Sequence, residues 1–479
     1  MAQFSREIVS EQRRYALSAR SKCSGLIMPE AFVRGIRHIG YRTNVEAIAE
    51  LVDNSIQAYS EKIDIVFGFD AEGSGRKPTK LAIIDDGHGM DPEMIRFAMM
   101  WGGTHRENDR AGLGRFGYGL PCAAVSIGRR FTIYSMPIGG RLHAVTLDLD
   151  KIDEGKRGAN IETAIPTAQR ATLPSFINDA LRQSRPNGWC SGTVIIIENV
   201  DRLDWATVTG LRRNLVRQFG VAYHKLLRAT SIHVDGEQVR PIDPLFLGPD
   251  ADLYGLDGDR AVALDPVTVQ IEGEEGRMGE VTLRYAWLPP SFAATDKTRD
   301  AIGINANERF PIIKQYHGII FNRNGRLVDV QSRTPWTVFI NNDRYIRIEI
   351  EFSAALDEAF GVTTSKQQVS VSPEMWDRLR VAGLHKAIEH LRAKVRAAKA
   401  ARSACEPYTV TDSTLRLSPK RVARLMTVPR GVAVSHALRT LLEAIERRAS
   451  NAKPELRAEY RDLLHEWCQR MTREDAGAS

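Results

Sequence analysis

The stretch VEAIAELVDNSIQAYS, residues 45–60, has the apolar spacing of a single amphipathic helix. A capping box, Thr43 to Glu46, opens it. Winding the helix at about 100° per residue collects four polar side chains in one arc and the large apolar side chains on the other side. The polar residues are Glu50, Asp53, Asn54 and Gln57, and the apolar residues are Ile48, Leu51, Val52, Ile56 and Tyr59. The polar arc fits a solvated surface or the wall of a site, and the helix alone does not decide between them.

Glu50 and Asn54 lie one turn apart in this arc. A carboxylate can act as a general base toward water when it faces a cavity that holds an electrophile. An amide oxygen one turn away suits Mg²⁺, which prefers oxygen ligands. The same pair is common on wet helix faces, so on its own it is a weak indication of a site.

A second element, IIDDGHGM at residues 83–90, is an apolar strand that ends in an acid. Gly87 and Gly89 would let the backbone approach a ligand closely. Asp85 could accept a hydrogen bond from an exocyclic amine such as that of adenine, and Met90 could pack on a flat ring. Taken alone, the stretch also fits an ordinary turn after a strand.

Two further elements contain glycine beside an apolar segment. In GLGRFGYGL, residues 112–120, three glycines (Gly114, Gly117 and Gly119) precede a helix-like run, a pattern that exposes backbone N–H groups to phosphates. It is not a Walker A loop, because no Lys-Ser/Thr pair follows the glycines. In SGTVIIIENV, residues 191–200, Thr193 opens an apolar strand, where it could hydrogen-bond near a base directly or through water.

The order of these four elements resembles the GHKL ATPase superfamily, which includes DNA gyrase, heat-shock chaperones, histidine kinases and the mismatch-repair protein MutL. ELVDNSIQA matches the N-box of that family, and DDGHGM matches its first glycine box. GGTHRENDRAGLGRFGYGL matches the lid and second glycine box, and GTVIIIENV matches the last box. The resemblance covers residues 43–205. It implies an α+β fold, the GHKL (Bergerat) ATP-binding sandwich of helices on a mixed sheet.

The resemblance also implies ATP and Mg²⁺ as cofactors and assigns roles to residues. Glu50 would activate water, Asn54 would bind Mg²⁺, and Asp85 would bind the adenine amino group. The other residues implied at the nucleotide are Gly87, Gly89, Met90, Gly103, Thr104, Gly112, Leu113, Gly114, Arg115, Phe116, Gly117, Tyr118, Gly119, Leu120 and Thr193. One departure lies in the lid, where Thr104 is followed by His105 and relatives often have a lysine. The resemblance therefore does not fix the lid contacts to the phosphates.

The rest of the chain points to one branch of the family. His38 lacks the acid that usually follows a phosphoacceptor histidine, which disfavours a histidine kinase. Three stretches resemble MORC ATPase modules, namely GRFGYGLPCAAVSIGRRFTIYS, GIIFNRNGRLVDV and LDEAFGVTTSKQQ. This resemblance implies that Lys366 would reach the γ-phosphate from a transducer-like domain. We expect an N-terminal arm at 1–40, an ATP-binding domain at 41–205, a transducer-like α/β domain at 206–372 and a helical C-terminal region at 373–479.

Composition limits the class of protein. The 479 residues allow two or three domains. The composition, with 43% hydrophobic and 26% charged residues, is ordinary for a soluble globular chain. No apolar run approaches the roughly 18–20 residues of a membrane span. The N-terminus has no apolar signal-peptide core. We therefore expect a cytoplasmic protein without a membrane partner. The five cysteines form no CxxC pair, so neither a disulfide framework nor a CW-type zinc finger is indicated.

Between Trp376 and Arg402, eight Lys or Arg residues stand against two acids. This basic helical stretch could meet the phosphates of DNA or could be a solvated helix face. The leading hypothesis is a Mg-dependent ATPase that forms a homodimer on binding ATP and acts as a clamp, with DNA or a protein held by these helices. The alternative is a nucleotide-switched, chaperone-like or protein-binding module with negligible turnover. A MutL-like repair factor is weaker, because the last hundred residues lack a recognisable endonuclease metal motif.

Overall fold

The computed structural model describes residues 12–14, 32, 35–37, 41–70, 76–103, 117–154, 165–205, 207–256, 258–273, 276–292, 307–362 and 368–405. The chain divides into two compact units, Met1–Lys399 and Ala400–Ser479. In the second unit, the described residues are the end of one long helix. Both described sheets lie in the first unit.

Helices and strands alternate along the first unit, and the mixed α+β architecture expected from the sequence is confirmed. The helices are α1 (Asn44–Gln57), α2 (Pro92–Ala98), α3 (Gly119–Ile127), α4 (Leu149–Glu154), α5 (Ser175–Ser184), α6 (Val208–Ala222), α7 (Phe310–Gln315), α8 (Pro373–Val381) and α9 (Leu384–Cys405). The strands are β1 (Lys62–Gly68), β2 (Lys80–Asp85), β3 (Gly128–Met136), β4 (His143–Asp148), β5 (Gln169–Arg170), β6 (Gly192–Val200), β7 (Ser231–Val234), β8 (Glu237–Gln238), β9 (Val262–Glu272), β10 (Met278–Trp287), β11 (Ile319–Arg323), β12 (Arg326–Gln331) and β13 (Ile346–Phe352).

The first sheet has the strand order β5-β4-β3-β6-β2-β1-β7-β8. Its pairings are antiparallel except for β1 with β7, which is parallel. One row of buried aliphatic side chains crosses the middle of the sheet in register. This row consists of Ile65, Ile83, Ile195, Ile133 and Val145. It belongs to the main core, which α1, α3 and α6 cover, whereas α5 covers a smaller apolar cluster that includes Ile84 and Val194.

Helix α1 begins as its sequence predicts. The Thr43 hydroxyl accepts a hydrogen bond from the Glu46 N–H at 3.2 Å. The Glu46 carboxylate accepts one from the Arg42 N–H at 2.9 Å, so the return bond of the capping box falls one residue earlier than expected. Ile48 and Leu51 are fully buried in the core, and each contributes about 1.5–3 kcal/mol by leaving water. The helix ends just before Tyr59, whose φ of 59° is left-handed.

The first sheet continues past residue 205, the expected end of the ATP-binding domain. Strand β7 pairs in parallel with β1, with Ile232 opposite Ile63. Helix α6 contributes Leu211 and Phe219 to the same core as α1. The core therefore extends through the polypeptide to Val239.

Three described residues of the expected N-terminal arm pack on this same unit. The Phe32 and Trp101 rings meet edge to face, with centroids 5.5 Å apart. Ile36 packs against the main core. The Arg37 guanidinium donates to the Val125 carbonyl at 2.8 Å and forms an ion pair with an aspartate that follows β6.

The second sheet has the order β12-β11-β13-β10-β9. Strand β13 alternates side chains between the two faces of this sheet. Ile346, Ile348 and Ile350 enter an apolar core that α8 and α9 share. On the opposite face lie charged side chains, among them Arg347 and Glu349, which are both fully buried. Within the described residues, no helix has both the length and the apolar character needed to cross a membrane.

Candidate active site

Glu50 lies on α1 with 3% of its surface exposed. Its carboxylate packs against the first residue of α3, because a β-carbon built at Gly119 would lie 1.9 Å from Glu50 Oε1. Only glycine permits this approach. The Tyr41 hydroxyl donates to the Gly119 carbonyl at 3.3 Å. Burial and the nearby Glu50 charge raise the pKa of Tyr41 well above its usual range, and they raise the pKa of the Cys122 thiol to about 11.

Asn54 follows Glu50 by one helical turn and is half-buried. The i,i+4 spacing places both residues on one side of α1. A carboxylate and an amide oxygen are thereby available on the same side of the helix, next to the N-terminus of α3.

Asp85 ends β2 and is 4% exposed. Its Oδ1 accepts hydrogen bonds from the N–H groups of Gly87 and Thr193, both at 3.0 Å. Its Oδ2 accepts one from the Ser55 hydroxyl at 3.0 Å. Burial is the largest influence and raises the pKa of Asp85 to about 6, although these three hydrogen bonds favour the carboxylate. At neutral pH this buried group is therefore an acceptor of fixed orientation.

The loop after β2 is fixed against neighbouring strands. Gly89 has φ +68°, and a β-carbon there would lie 2.2 Å from the Met136 carbonyl. The Met90 N–H donates to the Ser135 hydroxyl at 2.8 Å. Ser135 Oγ also lies 2.9 Å from Thr193 Oγ1. Ser135 on β3 thus joins the first glycine box to the Thr193 strand.

Gly87 is restricted by its neighbour in space. A β-carbon at this position would lie 2.6 Å from the Ala58 carbonyl, just after the end of α1. The next residue, His88, donates its N–H to that same carbonyl at 3.0 Å. The glycine box after β2 and the C-terminal end of the N-box helix are therefore in direct backbone contact.

The glycines that flank the predicted lid meet each other. The Gly102 N–H donates to the Gly117 carbonyl at 3.1 Å. A β-carbon at Gly117, which has φ +68°, would lie 2.7 Å from Gly103. Tyr118 precedes α3 as its N-cap residue and makes no side-chain capping bond. The first N–H groups of α3, beginning at Gly119 and Leu120, are therefore not capped by that side chain.

Seven of the predicted site residues lie outside the described part of the chain. They are Thr104, Gly112, Leu113, Gly114, Arg115, Phe116 and Lys366. The other predicted residues lie on α1, at and after the end of β2, at the start of β6, and in the two segments that flank the predicted lid. Helix α1 contacts the N-terminus of α3 through Glu50 and the end of β2 through Ser55, and Thr193 bonds to Asp85.

Ser55, Ser135 and Tyr41 were not predicted from the sequence, although they hold Asp85, Met90 and Gly119 in place. Ser55 directly follows Asn54 in the N-box, so its position was a usable signal. Tyr41 precedes the N-box motif and carries no such signal, and Ser135 ends the MORC-like stretch GRFGYGLPCAAVSIGRRFTIYS without belonging to one of the four family boxes.

The residues present fit a nucleotide. The buried Asp85 carboxylate is an acceptor, and the N-terminus of α3, whose N-cap side chain makes no capping bond, is suited to phosphates. The buried Glu50 carboxylate lies beside that N-terminus. Asn54 supplies the oxygen type that Mg²⁺ prefers. The fold and site together define an ATPase-type nucleotide-binding domain.

Comparison with known proteins agrees with this class. Residues 41–179 match the family described as histidine kinase-, DNA gyrase B-, and HSP90-like ATPase. The chain therefore contains a domain of the GHKL ATPase superfamily, and the resemblance predicted from the sequence is confirmed. A stretch of 89 residues is 32% identical to Protein MICRORCHIDIA 6 of Arabidopsis thaliana. It amounts to 19% of this chain and 13% of that protein's length. This similarity supports the MORC-like branch.

Proposed function

We propose that this protein is a Mg²⁺-dependent ATP hydrolase that acts as an ATP-gated dimerising clamp. The observation that carries the proposal is the contact of the buried Glu50 carboxylate with Gly119, which brings a potential base to the N-terminus of α3. A carboxylate held there can take a proton from water beside a bound phosphate. Neighbouring backbone N–H groups can stabilise the phosphate charge.

Each described site residue has a distinct role in this proposal. Asp85 accepts a hydrogen bond from the adenine amino group, since its carboxylate is fixed by three other donors and retains acceptor capacity. Thr193 and Met90 border the base. Asn54 holds Mg²⁺, which would neutralise charge on the phosphates when bound. Glu50 orients and deprotonates the attacking water.

The clamp part of the proposal depends on the MORC-like resemblance. ATP would bring the lid onto the nucleotide, Lys366 would contact the γ-phosphate, and two copies of the chain would associate. The contact between Gly102 and Gly117 supports a lid anchored at both ends, because it fixes the two points between which that segment runs.

The DNA part of the proposal depends on the basic helices α8 and α9. Some of their basic residues pack against neighbouring residues, and others have exposed side chains. Arg392 makes bonds of 3.0 and 2.8 Å to the Asp343 carboxylate, and Lys399 lies 3.9 Å from the centre of the Tyr345 ring. These two residues therefore pack α9 against the segment just before β13. Among the described side chains of α8 and α9, the exposed basic ones are Arg378, Arg380, Lys386, Lys394 and Arg396.

ATP turnover by the full chain tests the proposal. Wild type and Glu50→Gln should bind a non-hydrolysable ATP analogue with similar affinity, and only wild type should turn ATP over. Glu61→Gln, an exposed glutamate four residues beyond the end of α1, is the matched control and should behave as wild type. Normal turnover by Glu50→Gln would contradict the assignment of the base. Analogue binding without turnover in wild type would support the nucleotide-switched binding module instead.

Two further measurements test the clamp and its DNA ligand. Sizing with and without the analogue should show a dimer only in its presence, and a monomer in both conditions would contradict the clamp. Duplex binding should weaken steeply as salt rises, because phosphate contacts release counterions. Lys386→Gln combined with Lys394→Gln should reduce that slope. No duplex binding at low salt would remove DNA from the proposal.

A further inference from the structure

A buried ion pair joins the N-box helix to the second sheet. Asp53 on α1 is fully buried, and Arg326, the first residue of β12, is 4% exposed. Arg326 Nε donates to Asp53 Oδ1 at 2.7 Å. The Tyr223 hydroxyl, just after α6, lies 2.9 Å from both that oxygen and the Ala49 carbonyl. The two charged residues are 273 positions apart in the chain.

Asp53 follows Glu50 by three residues, so the two carboxylates lie near each other on one side of α1. Both are almost completely removed from water. Two buried like charges destabilise each other unless a cation compensates them. Burial disfavours the charge on Arg326, but Asp53, Tyr223 and Glu50 outweigh this effect and raise its pKa above the usual range. Arg326 therefore experiences the charges of both carboxylates.

Other contacts between the main core and the second sheet, close to this ion pair, are also ionic. Lys225, close after α6, donates to Glu349 Oε1 on β13 at 2.7 Å and also pairs with Glu351. Arg284 on β10 donates to the same Glu349 oxygen at 2.9 Å. Removing one member of a buried charge pair is strongly unfavourable, because the other charge is left buried without compensation. Among these described contacts, the one to Asp53 reaches the N-box helix.

We propose that Arg326 is a positioning residue of the ATPase site: by binding Asp53 it fixes the segment of α1 that carries Glu50 against Gly119. The site is then complete only while the second sheet is docked on the first core. This inference rests on the proposed ATPase function, which it extends by naming the residue through which the second sheet supports catalysis.

Steady-state ATP hydrolysis by the full chain separates positioning from binding. Arg326→Gln should lower kcat by about 10- to 100-fold, the range typical for losing a partner that orients a functional group. Its KM should change by less than about threefold, since the nucleotide contacts remain. Arg326→Lys should recover part of kcat, because it retains a cation opposite Asp53. Arg284→Gln is the matched control: it removes an arginine from the same ionic contact but does not touch α1, so its kcat should equal that of wild type.

Hydrogen exchange provides a second readout that does not need turnover. Backbone amides in α1 should exchange at least about tenfold faster in Arg326→Gln than in Arg284→Gln, because local opening increases where a buried tether is lost. Amides in β6 should not differ between the two variants. Equal exchange in α1, equal kcat losses in both variants, or no rescue by Arg326→Lys would each overturn the inference. Absence of turnover in wild type would refute the proposed function alone, and exchange in α1 would still decide whether Arg326 positions the helix.

Discussion

Asp85 offers a direct test of the electrostatics of the site through the variant Asp85→Asn. Burial raises the pKa of this carboxyl from 3.8 to about 6. At pH 7 the ionised group therefore costs the folded state about 3 kcal/mol relative to the unfolded chain, at about 1.4 kcal/mol for each unit of pKa. Asparagine has almost the same shape and no charge, so the variant should lack this cost.

The hydrogen bonds around Asp85 can all survive the substitution. The oxygen of the introduced amide can still accept from the N–H groups of Gly87 and Thr193. The amide nitrogen takes the place of Oδ2 and can donate to the Ser55 hydroxyl, which itself is 3.2 Å from the Leu51 carbonyl and can donate there. No buried polar atom is left without a partner among these groups, so the charge dominates the difference in stability.

The sign of the pH dependence follows from the raised pKa. Between about pH 3.8 and pH 6 the folded state keeps the Asp85 proton while the unfolded chain has released it. The contribution of Asp85 to the free energy of unfolding of the wild type therefore falls as pH rises through that window, and it levels off above about pH 6. The introduced asparagine does not titrate. The stability of Asp85→Asn relative to wild type should therefore rise by about 1.4 kcal/mol between pH 5 and pH 7.5.

Urea denaturation at several pH values, followed by tryptophan fluorescence, measures this difference. Asp179→Asn, at an aspartate on α5 whose side chain is 59% exposed, is the control and should show little pH-dependent change relative to wild type. The same Asp85→Asn protein should lose affinity for ATP, since the amide donates where the carboxylate accepts. A stability difference for Asp85→Asn that is flat with pH, or that falls toward neutral pH, would refute the reasoning.

Three other outcomes are expected. Gly119→Ala should lower ATP turnover by roughly 100-fold, because its β-carbon would lie 1.9 Å from Glu50 Oε1 and would therefore push the carboxylate away from the N-terminus of α3. ATP affinity should fall about fourfold between pH 7.5 and pH 5.5, since Asp85, with a pKa of about 6, must be ionised to accept from adenine. Arg392→Gln should destabilise the protein by roughly 2 kcal/mol in chemical denaturation, because it removes two bonds to the buried Asp343 carboxylate.

Matched control variants distinguish these effects from a general loss of activity or stability. Gly255→Ala, at a glycine with no atom within 4 Å of the added β-carbon, should leave turnover unchanged. Lys386→Gln, on an exposed side chain of the same helix as Arg392, should leave stability unchanged. Full turnover by Gly119→Ala would show that the Glu50 contact is not needed. An ATP affinity independent of pH would contradict the role of Asp85, and equal stability of the Arg392 and Lys386 variants would contradict the third expectation.

The N-box helix and the strands beside it could be predicted because their information is local. Apolar spacing defined α1, Thr43 marked its start, and an acid followed by alternating glycines marked the end of β2. The family resemblance assigned Glu50, Asp85 and Thr193 to one nucleotide site, and the structure brings Asp85 and Thr193 into hydrogen-bond contact. The fold class and the superfamily are confirmed, whereas the roles of individual site residues stay predictions.

Other features could not be predicted because they depend on residues far apart in sequence. The polar arc of α1 includes Asp53, but nothing near it in the sequence indicates Arg326 as its partner. The parallel pairing of β7 with β1 could not be predicted from the sequence either, since a strand of four residues carries little periodicity. Strand order is decided by which edges remain to be paired, and this is a property of the whole sheet.

Strand β7 lies far along the chain from β1, and this affects how the first sheet can fold during synthesis. Strand β1 acquires its parallel neighbour, with Ile63 beside Ile232, only after the ribosome has synthesised nearly half of the polypeptide shown. Until then the growing chain exposes an open strand edge and the apolar side of α1 that Leu211 and Phe219 later cover. A truncated protein that stops at the end of the family match, residue 179, should therefore aggregate, whereas one that continues beyond Val239 has the material to close its first sheet.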